Sequence, residues 1–276
     1  MEWLLEQGCP YDEDVCSSAA YKGHLHIIQW ARDNNFSWSA GACSGAAQGS
    51  HLHILQWLRA NGCPWDYHTP WYAVANNNME ILKWCAENKC KWHDIICSSA
   101  AQRSLEMLQF ARSQGCPWDE YTCTCAASAG KLEILQWACK QGCSWNEDTI
   151  SNAAGNNHLD IVKWAHENGC PWNETACARA AKKSLEMLQW LRENECPWDE
   201  TTCKNAAESG NLTILKWAHE NGCPWNKETC TAAAGKGYMK ILQWAHKNEC
   251  PWNEETCVAA ARCGQMKVLQ WLREKG

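Results

Sequence analysis

Residues 223–249 read "CPWNKETCTAAAGKGYMKILQWAHKNE", and the pattern in this stretch decides the fold. Asn226 is a good helix N-cap, and Glu228 follows in the first turn, where the helix dipole favours an acid. Cys230, Ala233 and Ala234 at i, i+3 and i+4 give the helix a narrow face of small residues suited to close packing. Gly237 suits the left-handed position that ends a helix. A second helix then carries Met239, Ile241, Leu242, Trp244 and Ala245 and stops at the "NE" turn. The unit is a predicted helix-turn-helix. No alternating strand pattern occurs anywhere in the chain.

The same unit recurs along the chain. Loop tryptophans stand at Trp38, Trp65, Trp92, Trp118, Trp145, Trp172, Trp198, Trp225 and Trp252, spaced by 27 or 26 residues. A second ladder runs from Trp3 through Trp30, Trp57 and Trp84 to Trp271 in the same step, with Phe110 as its one substitution. Only Trp71 lies outside both ladders. The N-cap slot is filled elsewhere by Asp66, Asp119, Asn146, Asn173, Asp199 and Asn253. The turn slot holds Gly23, Gly130, Gly210 and Gly264, or Asn77 and Asn157. Both 26-residue units contain "SLEML", at 104–108 and 184–188, which suggests that a three-repeat block was duplicated whole.

A pair of short helices cannot bury both of its faces alone, so such units stack on their neighbours. The expected architecture is an all-α, right-handed solenoid of about ten repeats forming one domain over residues 1–276, on the order of 100 Å long. Met1 falls at mid-helix in the repeat phase. The chain is therefore expected to be a fragment of a longer array, with Trp3, Leu4 and Leu5 covered by further repeats or a partner.

Composition narrows the function. A hydrophobic content of 46 % over 276 residues supports a sizeable core. No apolar run approaches membrane-spanning length, and "MEWLLEQGCP" carries no signal-peptide features. Net charge of −6 argues against nucleic acid or an anionic membrane as the main partner. The odd count of 21 cysteines, with no secretory signal, reads as reduced thiols in an intracellular, cytoplasmic setting.

Seven Cys-x6-Cys pairs are complete, among them Cys9/Cys16, Cys196/Cys203 and Cys250/Cys257. Each unit offers only two thiols, whereas zinc takes four ligands around one point. Neighbouring helices are expected about 8–10 Å apart, too far to share a metal or bridge a disulfide between repeats. Phe36, Pro70 and Ile150 replace cysteine where the ladder is broken, which fits an apolar packing slot and not a ligand. No cofactor is expected. A zinc- or redox-responsive thiol protein remains the alternative reading.

The stretches "GHLHIIQWARDNN" (23–35) and "GNLTILKWAHENG" (210–222) resemble the second helix of ankyrin repeats. The preceding T-C-x-x-A-A resembles the ankyrin T-P-L-H-x-A-A, and residues 69 and 70 are Thr-Pro. The units are shorter than the usual ~33 residues, and the loss falls where ankyrins place a β-hairpin finger. Short arrays of this kind look similar to those of giant DNA viruses and of algal or oomycete protists. The resemblance implies a non-enzymatic scaffold or adaptor that binds another protein or a protein assembly.

No nucleophile elbow, phosphate loop or metalloprotease motif is present, so no enzyme is expected and no catalytic residue is assigned. His166, His219 and His246 follow "WA" where arginine stands in other units, and read as solvated residues. His24, His51 and His158 occupy the turn slot and read as structural. What varies between units is the flank of the small-residue stripe, as expected of a recognition face. Trp71 and Tyr72 are the candidate anchors, with Tyr21, Gln48, Gln102 and Arg103 on neighbouring first helices as rim. Trp71 merely repacking a local defect is the competing reading. Arg179, Lys182 and Lys183, with Lys204 nearby, form a basic patch suited to an acidic partner segment.

Overall fold

The computed structural model describes residues 12–275, and no strand occurs among them. The expectations placed on Trp3, Leu4, Leu5, Cys9 and the leading partial helix lie outside the described residues. The helices come in pairs. The first four pairs are α1 (Asp14–Tyr21) with α2 (Leu25–Asp33), α3 (Ala40–Gln48) with α4 (Leu52–Ala60), α5 (His68–Ala75) with α6 (Met79–Glu87), and α7 (Asp94–Ala101) with α8 (Leu105–Ser113). The next three are α9 (Glu120–Ser128) with α10 (Leu132–Lys140), α11 (Glu147–Gly155) with α12 (Leu159–Glu167), and α13 (Glu174–Ala180) with α14 (Leu185–Glu193). The last three are α15 (Glu200–Glu208) with α16 (Leu212–Glu220), α17 (Lys227–Lys236) with α18 (Met239–Lys247), and α19 (Glu254–Arg262) with α20 (Met266–Lys275). The chain divides between Thr122 and Cys123 into two units.

Within each unit, first helix packs on first helix: α1, α3, α5 and α7 in succession, and α11 through α19 likewise. Small side chains permit this. Ala46, Ala73, Ala100, Ala153, Ala206 and Ala233 are fully buried. A Cβ added at Gly45 would lie 2.6 Å from the Ser17 carbonyl oxygen, so α3 meets α1 backbone to backbone there. The bulk of the apolar volume comes from the second helices, through Ile54, Leu55, Leu58, Leu108 and Leu135.

Local chemistry sets the ends of each helix. Asn226 Oδ1 accepts from the Glu228 amide at 2.9 Å, and Asn146, Asn173 and Asp199 cap their helices in the same way. The turn inside each 27-residue pair needs a residue at positive φ: Gly23, Gly130, Gly210, Gly237 and Gly264, and also Ser50, Asn77 and Asn157. Most second helices end on an asparagine whose side-chain amide donates back to the ladder tryptophan carbonyl, as Asn61 to Trp57 and Asn221 to Trp217 at 2.8 Å. Orphan carbonyls are thereby satisfied.

The loop cysteines tie one repeat to the one before it. The Cys63 thiol donates to the Ser39 carbonyl, Cys90 to Asp66 and Cys223 to Asp199, each at 3.4 Å. First-helix thiols lie beside the cysteine that follows the second helix: Cys43 neighbours Cys63, Cys203 neighbours Cys223, and Cys230 neighbours Cys250, all as free thiols. The Cys-x6-Cys spacing therefore does not define the thiol pairs.

Tryptophans and basic residues seal the other edge. Trp38 meets Trp57 edge-on at 6.1 Å, and Trp198 meets Trp217 at 6.0 Å. Arg59, Arg112 and Arg192 lie over Trp65, Trp118 and Trp198 at 4.5, 4.1 and 4.3 Å, and each donates to the carbonyl of the intervening loop cysteine. His166 and His219 stack on Trp172 and Trp225 at 4.0 and 3.8 Å, so they are packed rings and not solvated side chains. A flat imidazole does for its indole what the guanidinium does elsewhere.

Candidate functional site

The face left free by the stripe of buried alanines differs between the two units. In the first it is mostly uncharged. Tyr21 at the end of α1 is 41 % exposed, Gln48 at the end of α3 is exposed, and Trp71 and Tyr72 on α5 are half-buried with rings 4.7 Å apart. Gln102 and Arg103, which follow α7, are exposed. The helices carrying these residues are successive neighbours. Trp71 is not simply presented to solvent: its indole N–H donates to Ser99 Oγ on α7 at 2.8 Å. Tyr67, which the sequence did not single out, stacks on His68 and His93 at 4.2 and 4.7 Å beside this patch.

In the second unit the same face is strongly polar. Arg179, Lys182, Lys183 and Lys204 line one open groove of ≈ 660 Å³ over α11, α13 and α15, together with Asn156 and Asn205. The sequence had grouped these four bases, and the stacking of α13 on α15 brings Lys204 to the other three. Arg179 donates to Asn152 Oδ1 at 2.7 Å, and Asn205 Nδ2 donates to the Ala178 carbonyl at 2.8 Å. Lys182 pairs with Glu208 at 3.5 Å and Lys204 with Glu228 at 2.5 Å, both across a repeat boundary. These pairs are 40–50 % exposed, so each is weakly held and open to exchange for another anion.

Among the described residues, no group of three or more His, Cys, Asp or Glu side chains is placed to hold a metal ion. No helix there is long and apolar enough to cross a membrane.

No family model matches the chain, and no curated protein matches it. Among solved structures it is similar to the crystal structure of the pentatricopeptide repeat protein PPR10 from maize, at 12 % identity and a TM-score of 0.47. That match takes in 99 % of this chain and 50 % of the other, so this chain spans about half the length of its counterpart. The ankyrin resemblance is corrected by these results: no ankyrin model matches, and the similarity is to an all-helical repeat protein of another kind. The misreading has a physical source. Paired alanines, a turn glycine and a leucine-rich second helix are what any tightly stacked helix-turn-helix array requires.

The exclusion of nucleic acid is corrected as well. That exclusion rested on the net charge of the whole chain. A sum of −6 says nothing of one groove in which four bases converge. The chain is an all-α repeat protein of paired helices.

Proposed function

We propose that this protein is a non-catalytic scaffold that holds single-stranded RNA along the groove of α11, α13 and α15. The observation that carries the reading is the convergence of Arg179, Lys182, Lys183 and Lys204 on one open groove. Phosphates supply most of the affinity of such contacts, and exposed lysines exchange a glutamate for a phosphate at little cost. Asn156 and Asn205 line the same wall. Asn156 Nδ2 donates to Ser128 Oγ and the Asn152 carbonyl, and Asn205 Nδ2 to the Ala178 carbonyl, so their Oδ1 atoms are the acceptors offered to base edges of an unpaired strand.

Fluorescence anisotropy with a labelled single-stranded RNA, over a series of salt concentrations, tests this. Binding should weaken linearly in log–log form, with a slope of about −0.7 per phosphate engaged. Replacing both Lys182 and Lys183 by alanine should flatten that slope. Absence of RNA binding at low salt would sink the reading.

A second reading rests on a different observation. The first unit presents Tyr21, Trp71 and Tyr72 on a face with little charge, which suits a polypeptide partner and would make the chain a protein-interaction scaffold. Pull-down with Trp71 and Tyr72 replaced, set beside the lysine variants, separates the two.

A further inference from the structure

Cys139 breaks a rule that most of the repeats obey. Its position in the repeat holds Arg32, Arg59, Arg112, Arg192 and Arg273, or His166, His219 and His246, with Leu5 and Ala86 as the other departures. Most of those arginines and histidines cover a loop tryptophan, as Arg32 does Trp38 at 4.1 Å and His219 does Trp225 at 3.8 Å. A cysteine is too short for that role. Its sulfur lies instead 4.0 Å from Cys123 Sγ, on the first helix of the same repeat. Cys123 also bonds Cys143, so three sulfurs meet around one buried point.

We propose that Cys123 and Cys139 form an oxidisable dithiol, a site of disulfide formation driven by a hydroperoxide. The two thiols are unequal in access: Cys139 is partly exposed and Cys123 fully buried. Cys139 is thus the thiol a small oxidant reaches first, and Cys123 is the one placed to resolve it. The hydrogen bond from Cys123 also holds the Cys139 thiol below its ordinary pKa, which favours the reactive thiolate.

The atoms balance. The Cys139 thiolate attacks one peroxide oxygen, the O–O bond breaks, and a sulfenic acid forms as water or an alcohol departs. Cys123 sulfur then attacks the Cys139 sulfur, the S–OH bond breaks, and hydroxide leaves with the Cys123 proton as water. Two thiols are oxidised and one hydroperoxide is reduced. The sulfurs, 4.0 Å apart, need to approach by about 2 Å to bond.

The test is to treat the full chain, natively folded, with stoichiometric hydrogen peroxide, block the remaining thiols and map the peptides by tandem mass spectrometry. A Cys123–Cys139 cross-link that forms ahead of any other, and reverses with dithiothreitol, is expected. Cys139→Ala should abolish it, and Ala86 in the equivalent slot indicates that the fold accepts this change. The exposed thiol of Cys263 serves as an internal control for oxidant delivery. Sulfenylation of Cys263 with no Cys123–Cys139 link would overturn the proposal, and so would a link joining Cys139 to Cys143 alone.

Discussion

A Cβ added at Gly210 would lie 2.8 Å from Tyr238 Cζ, so the turn of one repeat is shaped by the residue that opens the second helix of the next. Gly23 and His51 stand in the same relation, as do Gly130 and His158. Where the turn residue carries a side chain, the partner is short. Asn77 is followed by Ser104 and Asn157 by Ser184, and those serines turn back to cap their own helices through the Met107 and Met187 amides. Ring and side chain compete for one space at the seam.

Gly210→Ala should therefore be costly. The residue sits at φ +76, where a Cβ costs about 1–2 kcal/mol, and the contact with Tyr238 adds to that. A loss of about 2 kcal/mol or more is expected in urea unfolding. Combining Gly210→Asn with Tyr238→Ser should recover most of it, because that pairing reproduces Asn157 and Ser184. An unchanged midpoint in the alanine variant would show that the seam opens more easily than the packing implies.

Cys203→Ala should cost around 1 kcal/mol and leave metal content unchanged. The thiol is fully buried against Cys223, at the seam and far from any ligand set. Elemental analysis of both proteins checks this alongside the melt. Stoichiometric zinc that disappears with the substitution would make Cys203 a ligand.

The helices were legible in the sequence because their determinants are local. Caps such as Asn226, the turn glycines and the 27-residue step each act within a few residues. The thiol pairs were not legible in the same way. Cys196 and Cys203 share a motif in the chain, yet Cys203 meets Cys223, since the loop after a second helix folds back on the first. Ser50, at φ +60, was missed because serine carries no left-handed signature of its own. Of the candidate binding residues, Arg179, Lys182 and Lys183 were recognisable as a charge cluster along the sequence. The bond of Trp71 to Ser99 was not, because it depends on how α7 stacks on α5.

Arg192→Ala removes both the cover on Trp198 and the donor to the Cys196 carbonyl. A partly exposed cation–π contact and one hydrogen bond together amount to about 1–2 kcal/mol. Arg192→His should retain part of this, since His219 stacks on Trp225 in the equivalent place. Thermal melts of the two variants should rank histidine above alanine. Equal melting temperatures would show that the stacked ring contributes nothing.

Trp71 offers the sharpest separation of packing from recognition. Its N–H bond to Ser99 ties α5 to α7, so the indole is part of the seam as well as of the surface. Trp71→Phe keeps an aromatic ring and deletes the donor, leaving the Ser99 hydroxyl free to turn to solvent. The expected loss is about 1 kcal/mol. Trp71→Ala also removes half-buried apolar area and should cost more, by about 1–3 kcal/mol beyond the phenylalanine variant. Ser99→Ala should reproduce the phenylalanine result, and the double variant Trp71→Phe/Ser99→Ala should be no worse than either alone, because both delete one bond. If the double variant is instead the sum of the two, the bond does not hold in solution. Trp71 is then a surface anchor first, and its alanine variant should lose a polypeptide partner while melting near the parent temperature.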